Sequence, residues 1–149
     1  MKHVLLIVLG AVLLLSACKA TTGMEASQAW ARPAMEGGNG AVYFLLQNHA
    51  AGSDELTGVS SDAAQAVEMH ESKMEADVMQ MRQVTSVPIE GKGSIQFAPG
   101  GYHVMLIGLN QELKAGDEIQ VTLHFRENED IVINVPVQEA APGASAEDH

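Results

Sequence analysis

Cysteine is almost missing from this chain: there is one in 149 residues, at position 18. A single thiol excludes an intramolecular disulfide and any CxxC redox or zinc pair. Positive charge is scarce too. Eight Lys and Arg stand against 19 Asp and Glu, a formal net charge of −11. The clustered cations that neutralise nucleic-acid phosphates or hold an anionic bilayer are therefore lacking. Aromatics are few, with one Trp, two Tyr and three Phe. No stretch carries a long helical period, and no internal repeat is visible. What is present is a hydrophobic fraction of 46%, ordinary for a globular protein, with eight methionines and six histidines. The length suits one domain and not comfortably two.

The N-terminus reads as an address. Met1-Lys2-His3 is a short basic start, followed by an apolar run from Val4 to Leu15 that only Gly10 interrupts. The run is too short to cross a bilayer and has the length of a signal-peptide core. It ends in Leu15-Ser16-Ala17-Cys18, which resembles the lipobox of bacterial lipoproteins. That resemblance implies removal of residues 1–17 and lipid on Cys18, hence an exported, lipid-anchored protein. Lys19 rather than Asp after the Cys resembles outer-membrane sorting in a two-membrane bacterium. With Cys18 acylated, the mature chain has no thiolate. Cysteine nucleophiles, iron–sulfur clusters, thiolate zinc sites and blue-copper centres are excluded.

The remainder predicts an all-β domain. Residues 18–26 read as the lipidated Cys and a small polar tether, 27–138 as the folded domain, and 139–149 as a disordered acidic tail. Ala41 to Leu46 is a buried strand between Gly37-Gly38-Asn39-Gly40 and Asn48. Residues 49–55 read as loop, and Ser61 to Val67 as one possible helical turn. Val67–Glu71 and Val78–Val84 are strands of a hairpin that turns through Ser72 to Asp77. Gly91-Lys92-Gly93 and Pro99-Gly100-Gly101 are turns that bracket a strand from Ser94 to Phe97. Tyr102 to Leu109 is an apolar strand. Ile119, Val121, Leu123 and Phe125 alternate with polar residues, and Ile131, Ile133, Val135 and Val137 repeat the alternation. Six to nine strands predict an antiparallel sandwich or Greek-key barrel.

Methionine and histidine carry the chemistry. On a strand, residues i and i+2 share a face, so His103 and Met105 project side by side. One imidazole and one thioether make half of a soft-metal site. Met69-His70 and Met79-Gln80-Met81, brought together by the hairpin, are candidates for the other half. His70 and Met81 would complete a set of two imidazoles and two thioethers. Thioethers suit Cu(I) and serve Zn²⁺, Ca²⁺ or Mg²⁺ poorly. Because the imidazoles must be neutral to bind, acid should weaken the site. Met69, Met74 and Met79 are either further ligands or packing and rim residues. His49 and His124 are assigned to solvent, and Met24 and Met35 to no metal role.

The spacing gives this pattern its force. Ten residues separate His70 from Met81, twenty-one separate Met81 from His103, and one separates His103 from Met105. This H-x10-M-x21-H-x-M pattern resembles the PCu(A)C family of periplasmic copper chaperones. Asp54–Ser60, Val67–Glu71, Val78–Arg82, Pro99–Leu109, Trp30-Ala31-Arg32 and the Ala41–Asn48 segment are similar to that family as well. Many members have Met directly after the first His, where this chain has Glu71. The resemblance implies a cupredoxin-like β-sandwich that binds Cu(I) through His70, Met81, His103 and Met105. It further implies delivery of copper to the Cu(A) centre of cytochrome c oxidase, with Sco-type thioredoxin-fold proteins as partners. The tail holds only Glu147, Asp148 and His149 near its end, so a second site there is not expected. A carrier without turnover fits better than an enzyme, because no electron-entry centre or acid–base pair is visible. The alternatives are an envelope copper-storage or resistance protein, and a structural lipoprotein whose Met and His merely pack.

Overall fold

The computed structural model describes residues 23–143, which hold ten strands and no helix. The expected signal peptide, Cys18 and residues 144–149 of the expected tail lie outside the described residues. In chain order the strands are β1 (Met24–Ala31), β2 (Asn39–Asn48), β3 (Asp54–Ser60), β4 (Ala64–Glu75), β5 (Val78–Val84), β6 (Val87–Ile89), β7 (Ser94–Phe97), β8 (Tyr102–Leu109), β9 (Glu118–Phe125) and β10 (Ile131–Pro136). One sheet has the order β1-β2-β7-β8-β4-β5, with β2 also pairing β8, and the other has the order β10-β9-β3-β6. Nearly every pairing is antiparallel. The exceptions among the described residues are Phe97 with Tyr102, between β7 and β8, and an isolated parallel bridge between Ala31 and Val137.

Period-two patterning builds the core. Val42, Phe44 and Leu46 of β2 and Val104 and Leu106 of β8 are completely buried on one side of the larger sheet. Ile119, Val121, Leu123 and Phe125 of β9 and Ile133 and Val135 of β10 supply the facing layer. Phe44 stacks on Phe97 with ring centroids 4.3 Å apart and planes 16° from parallel. On the other face of β2, Tyr43 packs on Trp30 at 4.8 Å, and the Arg32 guanidinium lies over both rings.

Several boundaries differ from the sequence expectation. The expected tether loses Met24, Glu25 and Ala26 to β1, which pairs them with Asn48, Gln47 and Leu46. Asp54 and Glu55 belong to β3 rather than to a loop. The expected helical turn at 61–67 is instead a short turn at Asp62-Ala63 followed by β4, since Ala64 and Ala66 pair with Leu109 and Ile107. The β4–β5 hairpin is tighter than expected. Glu75 pairs with Val78, which leaves only Ala76 and Asp77 in the turn, at φ 48° and 64°. Two left-handed residues make the type I′ geometry that matches strand twist.

A buried carboxylate fastens the smaller sheet to its neighbouring loop. Asp54 accepts hydrogen bonds from the N–H groups of Glu55 (2.7 Å), Glu127 (3.0 Å) and Asn128 (3.1 Å), and from Asn128 Nδ2 (2.6 Å). Burial pushes the Asp54 carboxyl up. The hydrogen bonds, led by the Asn128 side chain, outweigh that effect and hold it below the usual carboxylate range.

Two stability predictions follow from these contacts. Phe44→Ala opens a cavity in the stacked core and should lower unfolding free energy by about 3–5 kcal/mol in urea melts; a loss below about 1 kcal/mol would contradict the packing. Asp54→Asn turns an N–H₂ group toward donors and should cost about 1–3 kcal/mol at neutral pH. Because folding lowers the Asp54 pKa, its stabilisation is complete above the unfolded value of about 3.9 and disappears as pH falls through the lower folded value. The difference between parent and variant should therefore shrink in acid, and a gap of constant size across pH would refute the role.

Candidate metal centre

Antiparallel register brings the two central histidines together. In the β4–β8 pairing His70 is the direct partner of His103, so both side chains leave the same side of the sheet. Their ring centroids are 5.7 Å apart, with planes tilted by 38°. Met105 lies two residues beyond His103 and shares its face, opposite Glu68 on β4 and Ala41 on β2. Met81 on β5 is opposite Ser72, two residues beyond His70. It therefore shares the face and stands on the diagonal to His70. The four expected donors form an oblique line, Met81, His70, His103, Met105, across three adjacent strands. Exposure differs along it: Met81 is 54% exposed, His103 is 5% exposed, and His70 and Met105 are half-buried.

Hydrogen bonds fix which ring nitrogens are free. His103 Nδ1 lies 3.1 Å from the Gly101 carbonyl oxygen. A carbonyl only accepts, so Nδ1 carries the proton and Nε2 the lone pair. His70 Nε2 lies 2.8 Å from Glu68 Oε2. With the carboxylate as acceptor, the neutral imidazole of His70 has its proton on Nε2 and its lone pair on Nδ1. That Nδ1 atom is buried and has no hydrogen-bond partner. A buried, unpaired nitrogen is costly unless something absent from the bare chain satisfies it. A carboxylate behind an imidazole is also the usual support of a metal-ligating histidine, since it sets the tautomer and raises basicity. Glu68 is not among the residues expected at the site. Its spacing of two from His70, on a strand, is the signal that would have found it.

Other Met, His and Glu residues are placed elsewhere. Met69 is 4% exposed and part of the core, so it is neither ligand nor rim. Met24 packs partly against the core, and Met35 is exposed. Glu71 points to the opposite face from His70. There it binds Lys73 at 3.0 Å and Arg82 at 2.9 Å. Lys73, then Arg82, hold its carboxyl below the usual range. The residue that replaces the family's Met is thus an ion-pair centre behind the site. His49 and His124 are not simply solvated. His49 contacts Glu25 at 2.8 Å, and His124 lies between Ser60 at 2.8 Å and Asp130 at 2.7 Å. Among the described residues, no group of three or more His, Cys, Asp and Glu is arranged to hold a metal. A site on this face has to enlist sulfur.

Comparisons with known proteins bear on the fold and the family. The fold matches a copper-bound PCuAC domain from PmoF2 with a TM-score of 0.67, at 24% identity, over 81% of this chain and 97% of that one. The apo PmoF2 PCuAC domain matches at 0.65 and 25% identity, over 84% and 95%. The Cu(I) form of DR1885 from Deinococcus radiodurans matches at 0.59 and 24% identity, over 83% of each chain. These likenesses establish the cupredoxin-like β-sandwich expected from the sequence. An uncharacterised protein of Rickettsia prowazekii is 35% identical over 120 residues, covering 77% of this chain and 66% of its own length. A Leifsonia xyli relative, "Putative lipoprotein Lxx21020", is 32% identical over 122 residues, or 81% of this chain and 73% of the relative. The family described as "Putative lipoprotein LpqE-like" matches residues 24–137, from the first residue of β1 to the residue after β10, and the chain belongs to this LpqE-like family.

Proposed function

We propose that this protein is an exported, lipid-anchored carrier of Cu(I) that loads and releases the ion through His70, Met81, His103 and Met105. The observation that carries the reading is the His70–His103 pair: two imidazoles on paired strands, each with one nitrogen engaged by an acceptor, and the other nitrogen of His70, Nδ1, buried without a partner. Two thioethers on the same face give the set its softness. Two neutral nitrogens and two sulfurs suit a monovalent soft cation and not a hard divalent one.

Unequal exposure suits a carrier. His103 is sheltered and positions the ion, whereas Met81 stands in solvent and is the donor an acceptor would displace first. Thioethers exchange one at a time because the side chain is flexible. The copper-bound and Cu(I) titles of the structural relatives support copper as the cargo. The lipoprotein name of the family and of the Leifsonia relative supports anchoring through Cys18. The recipient in this proposal is the Cu(A) site of cytochrome c oxidase, served together with a Sco-type protein, as the resemblance to the PCu(A)C chaperones implies. The carrier itself catalyses no turnover.

Competition against a Cu(I) chelator under reducing conditions tests the site. Met105→Ala should lose stoichiometric binding while its melting temperature stays close to that of the parent. A variant that competes as well as the parent would remove Met105 from the site and the proposal with it. X-ray absorption of the Cu(I)-loaded parent should show a mixed nitrogen–sulfur shell. Transfer to an apo Cu(A) domain then separates delivery from storage, since a storage protein retains its ion in front of that acceptor.

A further inference from the structure

The hairpin that carries Met81 holds more sulfur than the four-donor site uses. Among the described residues, four of the six strongly exposed large apolar side chains lie on it: Met74 at 63%, Val78 at 59%, Met79 at 52% and Met81 at 54% exposure. Core packing therefore does not account for these methionines. Register places the three thioethers on one face. Met74 and Met79 are direct partners, and Met81 follows Met79 by two residues.

Turn geometry brings them close. In a two-residue hairpin the pair flanking the turn, here Glu75 with Val78, is the hydrogen-bonded one. The next pair, Met74 with Met79, is then a non-hydrogen-bonded pair, with Cα atoms about 4.5 Å apart and side chains at their closest. Met81 stands about 6.7 Å further along β5. Three rotatable bonds per side chain let the sulfurs converge on one ion. Three charged residues of the hairpin, Lys73, Glu71 and Arg82, lie on its reverse face and pair with one another.

We infer that Met74, Met79 and Met81 form a second, all-thioether site for Cu(I) at the hairpin tip, an entry station that hands the ion to the histidine pair. The inference rests on the Cu(I) reading of the four-donor site and adds an outer position to it. Met81 belongs to both sets and stands on the diagonal to His70. Passage inward keeps the Met81–Cu bond, breaks the bonds to Met74 and Met79, and forms bonds to the free nitrogens of His70 and His103 and to Met105. Copper remains monovalent throughout, and only metal–ligand bonds change. Three neutral sulfurs bind more weakly than the mixed site, which gives the transfer its direction.

The test is anaerobic titration of the full chain, labelled with ¹³C at the methionine methyls, with Cu(I) to two equivalents. The first equivalent should shift the Met81 and Met105 methyl resonances. The second should shift Met74 and Met79, which then hold it as a pair because Met81 stays on the first ion. The double variant Met74→Leu/Met79→Leu preserves size on an exposed surface and so should fold normally, keep the first equivalent and lose the second. Unmoved Met74 and Met79 signals, or a double variant that still takes up two ions, would overturn the tip site and leave these methionines as bare apolar surface. If Met74 and Met79 respond to the first equivalent while Met105 stays silent, the tip site stands and the four-donor reading is the one that fails.

Discussion

The molecule depends on the register between β4 and β8. A one-residue slip would send His70 into the core and bring Met69 out, because strand side chains alternate with period two. Burial of Met69 and Val104 on one side of the pairing is what forbids the slip. The hydrophobic effect thus aligns two imidazoles that no direct attraction would have brought together. The same pairing sets Met105 opposite Glu68, and the adjoining β4–β5 register sets Met81 on the diagonal. Core packing on one face and donor geometry on the other are two results of one alignment.

Support for the histidines comes from short-range, not distant, parts of the chain. Glu68 and Gly101 each stand two residues from the ring they hold. Two-residue spacing along an extended strand is the shortest separation that returns to the same face. Orientation of the rings therefore survives small motions between strands, while the separation of the rings follows the sheet.

Much of this was legible in the sequence, for a physical reason. Strands half-buried in the sandwich, such as β9 and β10, write their environment as strict alternation. The strand that holds His103 and Met105 is bounded by its Pro99-Gly100-Gly101 turn. Three elements were harder to read. β1 is small and polar and becomes a strand only by pairing with β2, which is a tertiary effect. β6 contains Pro88, tolerated because this short strand lies at the sheet margin and pairs only with β3. The 61–67 segment carries helix-compatible alanines that pairing with β8 overrides. At the site, the pattern of His and Met indicated residues that register places on one face, with His70 directly beside His103. It did not disclose the carboxylate behind His70, because acidic residues on exposed strands are usually solvent-facing.

One feature of the hairpin has a further bearing on solubility. β5 closes the larger sheet and pairs on one side only, so its outer backbone groups are open while its thioethers lie bare. An open margin with apolar side chains is the kind of surface on which identical chains stack into fibrils. The Lys73–Glu71–Arg82 cluster lies on the reverse of the same hairpin. Charge on the reverse of an open strand is one of the devices that discourage a second copy from pairing along it.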